Sequence, residues 1–497
     1  MEAFGWKWLI AVVLGCLYGS LFGAIPGLTA TLAVALFIPI AFFLDPIIAL
    51  PAIIAISSVA IYAGDVGSCI ARIPGTPASA AYLEEMFSIA RSKGPMYGLG
   101  LSGMGSAVGG IIGTGLLVFG ATAIAALAKQ FSSFEYFWVA VLGLTAGVFA
   151  SSGSSLKALG SLLLGILLST VGVDPTLGFP RFHFENPNLL GGLNYIVAMI
   201  GLFGFAEVLE NMYASIAKPK SVQKLSHGIY RQFFLTPVLL IVKEKWLVIR
   251  SALLGVVVGL LPGAGADIGS WVATSIQKMR GRSTQKDFED KVVLSGTSSN
   301  NAAVASAWIP ALSLGLPGDT ITAIVLGVFL MKGITPGPML FEQQPDLVWS
   351  LYLTFLVANV VFLPIFGFFT ARIASYLIKI PFSILLTAIS IICIVGAFAI
   401  NNNVFDVWVM AGMGVLAFLL RRGGFPLSQV VLGMVLGPIL EQNFMVSAIK
   451  SRWDVTSFFE RPIALLLMGL TLVTIAAGLK VGGRVWKRMG KEKTKDI

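Results

Sequence analysis

Four Pro-Gly pairs lie inside apolar stretches: Pro26-Gly27-Leu28-Thr29, Pro74-Gly75-Thr76-Pro77, Pro262-Gly263-Ala264-Gly265 and Pro317-Gly318-Asp319-Thr320. Proline removes a backbone donor and glycine relaxes the chain, so each pair interrupts a helical hydrogen-bond ladder. At membrane depth such a break is tolerated only where it lines a protein-walled cavity. Each break also begins a half-helix whose N–H groups and positive dipole end favour an anion, and Thr29, Thr76 and Thr320 add hydroxyl donors there. Read conservatively, the same pairs kink packed helices or mark loops. The run Ser295-Gly296-Thr297-Ser298-Ser299-Asn300-Asn301 supplies uncharged hydroxyl and amide oxygens that suit a hard monovalent cation or a carboxylate equally. A solvated helix N-cap is the alternative for that run. Asp319 either caps its half-helix or completes a cation site, and Asp65 and Asp267 serve capping or ion and proton coupling. Arg72, beside the second break, can pair with a substrate carboxylate through its planar fork or with Glu84 or Glu85. Glu207 and Glu210 read as the lip of a loop, and Asn401-Asn402-Asn403 as a turn between spans.

This chemistry is binding and coupling, not bond-making. No His-Glu-x-x-His or serine elbow occurs, and Ala63-Gly64-Asp65 follows Tyr62 where an intramembrane aspartyl protease needs glycine. The chain is read as no enzyme. Three cysteines (Cys16, Cys69, Cys393) and two histidines (His183, His227) exclude a disulfide framework and a zinc site. No cofactor is expected beyond sodium as a coupling ion.

The elements that position these residues are set by composition. Of 497 residues, 56% are hydrophobic and 12% charged, which excludes an ordinary soluble protein. At about 20 apolar residues per crossing, the length holds roughly 10 to 14 spans. The expected fold is an all-α polytopic membrane protein with broken, re-entrant hairpins. The net charge of +10 does not point to nucleic acid, because the basic residues are clustered. Lys218, Lys220, Lys224, Arg231, Lys243 and Lys245 fill one loop, and Lys278, Arg280, Arg282, Lys286 and Lys291 another. Seven more lie between Lys480 and Lys495. Such clustering places all three segments, the C-terminus included, in the cytoplasm. The abundant Phe and Trp fit a lipid-facing surface and interfacial belts.

The chain repeats itself. Gly19-x3-Gly23-x2-Pro26-Gly27 recurs as Gly255-x3-Gly259-x2-Pro262-Gly263 at an offset of 236, and Ile73-Pro74-Gly75 recurs as Leu316-Pro317-Gly318 at 243. Two ordered matches at nearly equal offset indicate a duplicated unit of about 240 residues. The division is a first transmembrane repeat at 1–213, a basic cytoplasmic linker at 214–245, a second repeat at 246–481 and a basic tail at 482–497. The heavier basic flank of the second repeat favours inverted orientation. Paired breaks in corresponding positions of two repeats are the pattern of a midplane site in secondary transporters.

Pro-Gly-Leu-Thr-Ala (26–30), Ile-Pro-Gly-Thr-Pro-Ala-Ser-Ala-Ala (73–81), Leu-Pro-Gly-Ala-Gly-Ala-Asp (261–267), Asn-Asn-Ala (300–302) and Ile-Pro-Ala-Leu-Ser-Leu-Gly-Leu-Pro-Gly-Asp (309–319) carry a resemblance. With Gly333-Ile334-Thr335-Pro336-Gly337-Pro338, the chain resembles the large permease subunit of tripartite tricarboxylate transporters over its whole length. The resemblance implies a bacterial inner-membrane transporter of carboxylates driven by a sodium or proton gradient. It further implies a periplasmic substrate-binding protein and a small four-span membrane subunit as partners. Carried over by motif, the substrate positions are Pro26, Gly27, Thr29, Pro74, Gly75, Thr76, Pro262, Gly263, Asn300, Asn301, Pro317, Gly318 and Thr320, with Arg72 beside them. Ser299, Asn300, Asp319, Asp65 and Asp267 are the ion-coupling candidates. The chain departs from the family pattern at Thr297, where an acidic residue is usual, and at Gly64-Asp65-Val66 and Glu84-Glu85-Met86-Phe87. The competing function is a stand-alone organic-anion transporter that needs no binding protein; a passive channel is a weaker one.

Overall fold

The computed structural model describes residues 5–25, 27–151, 154–174, 176–213, 229–263, 265–281, 287–377 and 382–493. Pro26, residues 214–228 of the expected linker, Arg282, Lys286 and residues 494–497 of the tail lie outside them. The protein is an all-α polytopic membrane protein. Among the described residues the strand content is one short antiparallel pairing, Gly172 with Arg181 and Val173 with Pro180. Eight described helices are long and apolar enough to cross a membrane, among them Trp6–Ala24, Pro46–Ala71, Pro95–Ala128 and Pro345–Ala374. Ala30–Phe43 and Thr320–Met331, apolar helices of 14 and 12 residues, are too short to cross alone. Those two follow Pro-Gly breaks. The part of the linker that is described is helical, with Arg231–Leu235 wound as a π-helix into Thr236–Lys243.

The residues fall into two compact units, and each draws on both sequence halves. The larger comprises Met1–Ala126, Ile196–Leu260 and Gly265–Phe418; the smaller comprises Leu127–Tyr195, Leu261–Ala264 and Leu419–Ile497. Within the smaller unit Ser133–Ala150, Ser155–Ser169 and Leu427–Lys450 pack together. Ser132 and Glu135 form a capping box at the start of the first helix, and Arg461 bonds the other Glu135 oxygen. Gln429 donates to the Gly147 carbonyl at 2.8 Å.

In the larger unit the repeat can be followed contact by contact. Trp6–Ala24 lies against Pro46–Ala63 and its counterpart Lys245–Gly259 against Phe288–Ser306, both at backbone distance. A Cβ on Gly19 or Gly23 would lie 2.5 or 2.3 Å from the Ile56 or Ala60 carbonyl oxygen. A Cβ on Gly255 or Gly259 would lie 2.1 or 2.4 Å from those of Ser299 and Ala303, the equivalent residues. Close approach of this kind is how membrane helices gain van der Waals contact without a hydrophobic driving force. One turn earlier the repeats differ: Gly15 packs on Ala52, whereas Ser251 hydrogen-bonds Ser295 at 2.9 Å. The seven residues by which the offset grows lie between the half-helix and the third helix, in the basic segment.

The second breaks are superimposable in design. Asp65–Ala71 and Trp308–Leu314, seven residues each, end at a left-handed residue, Arg72 (φ 56°) and Gly315 (φ 70°). The next amides, Ile73 and Leu316, return to the Gly67 and Pro310 carbonyls at 3.1 Å. The Arg72 and Gly315 amides reach the same carbonyls, a 6→1 closure that satisfies a helix end that proline prevents from continuing. Gly75 and Gly318 then pass so close to Gly64 and Ala307 that a Cβ would lie 2.3 and 2.7 Å from their carbonyl oxygens. Reciprocal caps complete both breaks. The Thr76 amide donates to Ser79 Oγ and the Ser79 amide to Thr76 Oγ1, each at 3.1 Å. The Asp319 amide donates to Thr322 Oγ1 at 2.8 Å and the Thr322 amide to Asp319 Oδ1 at 2.7 Å.

Gly23→Ala and Gly259→Ala each force two backbones apart and are expected to destabilise the protein by about 1–3 kcal/mol. Melting in detergent checks this, with Gly469→Ala, which has nothing within 4 Å, as the control left unchanged or slightly stabilised. Asp319→Ala removes a cap and is expected to cost about 1 kcal/mol. Asp319→Thr, the residue found at the equivalent position of the first repeat, is expected to recover most of that loss in the same melt.

Candidate functional site

Two of the breaks, at Pro74 and Pro317, are joined in the larger unit by the helix that follows a third. The first turn of Ala266–Arg280 lies against the Pro74 break, with Asp267 Oδ1 accepting from the Ala78 amide at 3.0 Å and Trp271 Nε1 donating to the Pro77 carbonyl at 3.0 Å. The Gly265 amide reaches the Gly318 carbonyl at 3.4 Å, which ties the same turn to the Pro317 break. Asp319 lies within electrostatic reach of Asp267. Half-helix Ala30–Phe43, begun by the Gly27 break, packs on Thr320–Met331, and Lys332 Nζ donates to the Phe42 carbonyl at 2.6 Å. Pro262 and Gly263 group with the smaller unit, where a Cβ on Gly263 (φ 73°) would lie 2.7 Å from Gly147 Cα.

At three of the four half-helix starts a side chain accepts from an N–H group that the sequence reading left open to an anion, whereas Ala266–Arg280 begins at Gly265 with no side-chain cap. Thr29 Oγ1 accepts from the Leu32 amide at 3.1 Å, Thr76 and Ser79 cap one another, and Asp319 caps the helix in which Thr320 is the first residue. An unpaired buried amide is expensive, so the chain satisfies these donors itself. Two carboxylates therefore stand where an anion was expected.

The polar run is not a solvated cap. It occupies the middle of Phe288–Ser306, and every residue from Val292 to Ser306 is buried. Two glycine stripes make that possible. Gly255 and Gly259 approach from one helix, and Gly109 and Gly113 of Pro95–Ala128 from another, where a Cβ would lie 2.1 and 2.6 Å from the Ser298 and Ala302 carbonyl oxygens. Asn301 Nδ2 donates to Asn359 Oδ1 at 3.4 Å, and Asn359, in the π-helical Ala358–Phe362, donates to the Phe355 carbonyl at 2.8 Å. Among the described residues, Ser299 Oγ, Asn300 Oδ1, Asn301 Oδ1 and Trp308 Nε1 have no hydrogen-bond partner, and neither does Ser58 Oγ at the position equivalent to Asn301. Each buried polar atom left so costs about 1–3 kcal/mol. Of the five, Asn300 Oδ1 and Asn301 Oδ1 accept, the Ser299 and Ser58 hydroxyls both donate and accept, and Trp308 Nε1 donates.

Arg72 does not join this group. It is 56% exposed, and its fork is taken by Glu84, Nε to Oε1 at 3.1 Å and Nη2 to Oε2 at 2.7 Å. Asp65 is 1% exposed and accepts from the Tyr82 hydroxyl at 2.8 Å and from the Ser102 hydroxyl. Sequence reasoning missed Tyr82, Ser102 and Asn359. The signal for the last two was available, since each is a polar side chain within an otherwise apolar span.

The comparisons with known proteins identify the family. A model of the tripartite tricarboxylate transporter TctA family matches residues 9–432. The chain is 33% identical over 475 residues to an "Uncharacterized 52.8 kDa protein in TAR-I ttuC' 3'region" of Agrobacterium vitis, covering 93% of this chain and 91% of that one. It is 35% identical over 231 residues to an "Uncharacterized protein in TAR-II ttuC' 3'region" of the same organism, covering 45% of this chain and 93% of that one. No solved structure matches it. With breaks, order and near-complete coverage in agreement, the chain belongs to the tripartite tricarboxylate transporter TctA family.

Proposed function

We propose that the protein is the large membrane subunit of a system that imports a di- or tricarboxylate against its gradient, driven by sodium or protons. The observation that carries this reading is the meeting of breaks from both repeats at Ala78, Asp267 and Gly318, in a unit whose buried acceptors at Ser299, Asn300 and Asn301 lack partners. Gly27, Thr29, Pro74, Gly75, Thr76, Pro317, Gly318 and Thr320 shape the substrate region, and Asn300 and Asn301 reach it from the polar run. Asp267 and Asp319 call for a cation to enter with the anion, because two carboxylates at low dielectric repel a third. Arg72, engaged by Glu84, is left out of the set. The protein lies in the bacterial inner membrane with its basic C-terminus in the cytoplasm. It works with a periplasmic binding protein and a small four-span subunit. Alternating access is achieved by an elevator-like movement of the paired hairpins. A stand-alone transporter is the second reading, and it is favoured if purified binding protein from the same gene neighbourhood leaves uptake unchanged.

Melting of the purified chain in sodium and in potassium, with a panel of di- and tricarboxylates, tests the reading. A ligand present at 100 times its Kd adds about 2.7 kcal/mol. One acid is expected to raise the melting temperature, and the coupling cation is expected to enlarge that rise. Ser299→Ala is expected to leave the unliganded melt unchanged or raise it, because a partnerless hydroxyl is lost, while the ligand-dependent rise shrinks. A Ser299→Ala protein that responds to every acid and cation as the parent does removes the polar run from the site.

A further inference from the structure

Asp65 stands apart from the two acids that follow the Pro262 and Pro317 breaks. Asp319 caps a helix and Asp267 bonds a backbone amide, whereas Asp65 bonds two hydroxyls and no backbone donor. The equivalent position of the second repeat holds Trp308, so the break is built as well without a carboxyl group there. We propose that Asp65 is a proton-binding site, taking up and releasing the proton that drives transport, with Tyr82 and Ser102 as its partners in both states; this rests on the transport reading above.

The hydroxyls explain why a proton fits. When Asp65 is ionised, Tyr82 donates to one oxygen and Ser102 to the other. When a proton adds to Oδ2, the new O–H donates to Ser102 Oγ, whose own hydrogen turns away, while Tyr82 continues to donate to Oδ1. Both states are hydrogen-bonded, and one unit of charge is gained or lost. Among the described residues no cation opposes the group. Tyr62 faces it from Pro46–Ala63 but donates to the Gly367 carbonyl at 3.1 Å, and Cys69 faces it from its own helix. On the neighbouring helices, Glu84 pairs with Arg72, Glu85 pairs with Lys278 at 2.8 Å, and Lys7, Arg91 and Arg372 are exposed. Asp65 and its two hydroxyls supply fewer oxygens than the roughly six that a hard cation takes, so the group suits a proton better than sodium.

The site is connected to the breaks through Tyr82. Its hydroxyl holds Asp65, and its ring packs on Gly296, where a Cβ would lie 2.4 Å from Tyr82 Cδ1, at the start of the polar run. Tyr82 also feels the charge of Asp267, the residue bonded to Ala78. Neutralising Asp65 weakens the Tyr82 bond, since a hydroxyl donates more strongly to a carboxylate than to a neutral acid.

Infrared spectra of the purified full chain in H2O and D2O read the carboxylic-acid C=O stretch directly. A D2O-sensitive acid band is expected in the parent, fading as pH rises and absent from Asp65→Asn. In proteoliposomes containing the chain and its partner subunits, labelled citrate, succinate and malate serve as probes in sodium-free buffer. Asp65→Asn is expected to lose uptake driven by an inward proton gradient yet to keep exchange of internal for external acid, which needs no net proton movement. Retained gradient-driven uptake in Asp65→Asn, or an acid band unaltered by it, overturns the proposal. If the parent exchanges none of the probes, the transport reading fails instead, and the infrared band alone decides whether Asp65 binds a proton. Should Asp65→Asn not fold, Ser102→Ala takes its place: an acid band left at the same frequency then overturns the proposal.

Discussion

A backbone interrupted at membrane depth must find every hydrogen-bond partner inside the protein, and the rest of this structure depends on that constraint. Water cannot satisfy the amides that Pro74 and Pro317 release from their helices. Both breaks meet the demand in three steps: a left-handed residue closes the preceding helix, a glycine passes a neighbouring carbonyl, and a reciprocal cap opens the next helix. The first turn of Ala266–Arg280 supplies further partners to both. Irregular backbone is thereby held in one place, with Gly75, Thr76, Pro317, Gly318 and Asp319 buried and Pro74 and Pro77 exposed.

The two repeats share their backbone contacts and differ in their side chains. Gly19 with Ile56 becomes Gly255 with Ser299, and Gly75 with Gly64 becomes Gly318 with Ala307. A contact between backbones cannot change without moving a helix, so it survives in both copies. Side chains on that scaffold are freer: Thr76 becomes Asp319, Arg72 becomes Gly315, Asp65 becomes Trp308, and Ser57-Ser58 becomes Asn300-Asn301. The result is a near-symmetric framework with asymmetric chemistry. The carboxylates Asp267 and Asp319 and the longer amides belong to the second copy, and Asp65 to the first.

Burial of the polar run follows from the same logic. Hydroxyls and amides are tolerated between Gly109, Gly113, Gly255 and Gly259 because close helix packing lets Ser298 Oγ return to the Leu294 carbonyl and Ser306 Oγ to that of Ala303. What remains partnerless is a small set of acceptors at mid-helix. Under the transport reading these atoms are satisfied in turn by substrate and cation, and their cost in the empty protein is a reason for tight binding.

How much of this was legible beforehand depends on range. Composition determined the membrane class, because 12% charge cannot clothe a soluble protein of this size. Spacing determined the duplication and the breaks, because glycine and proline act on the local backbone and leave their mark at fixed intervals. The Ser295–Asn301 run was visible too, but whether it was a wet cap or a buried mid-helix depended on glycines more than a hundred residues away at 109 and 113. The anion-binding half-helix ends were reasonable from local dipoles and were decided otherwise, at three of the four, by side chains that fold back to cap them. Arg72 had pairing with a nearby glutamate as one of two readings, and only the folded structure showed its fork on Glu84. That Asp65 meets Tyr82 and Ser102, or that Pro262 and Gly263 pack apart from Asp267, lay beyond the sequence altogether. Local propensity determines where a chain breaks, and only long-range packing decides which atoms the broken ends will face.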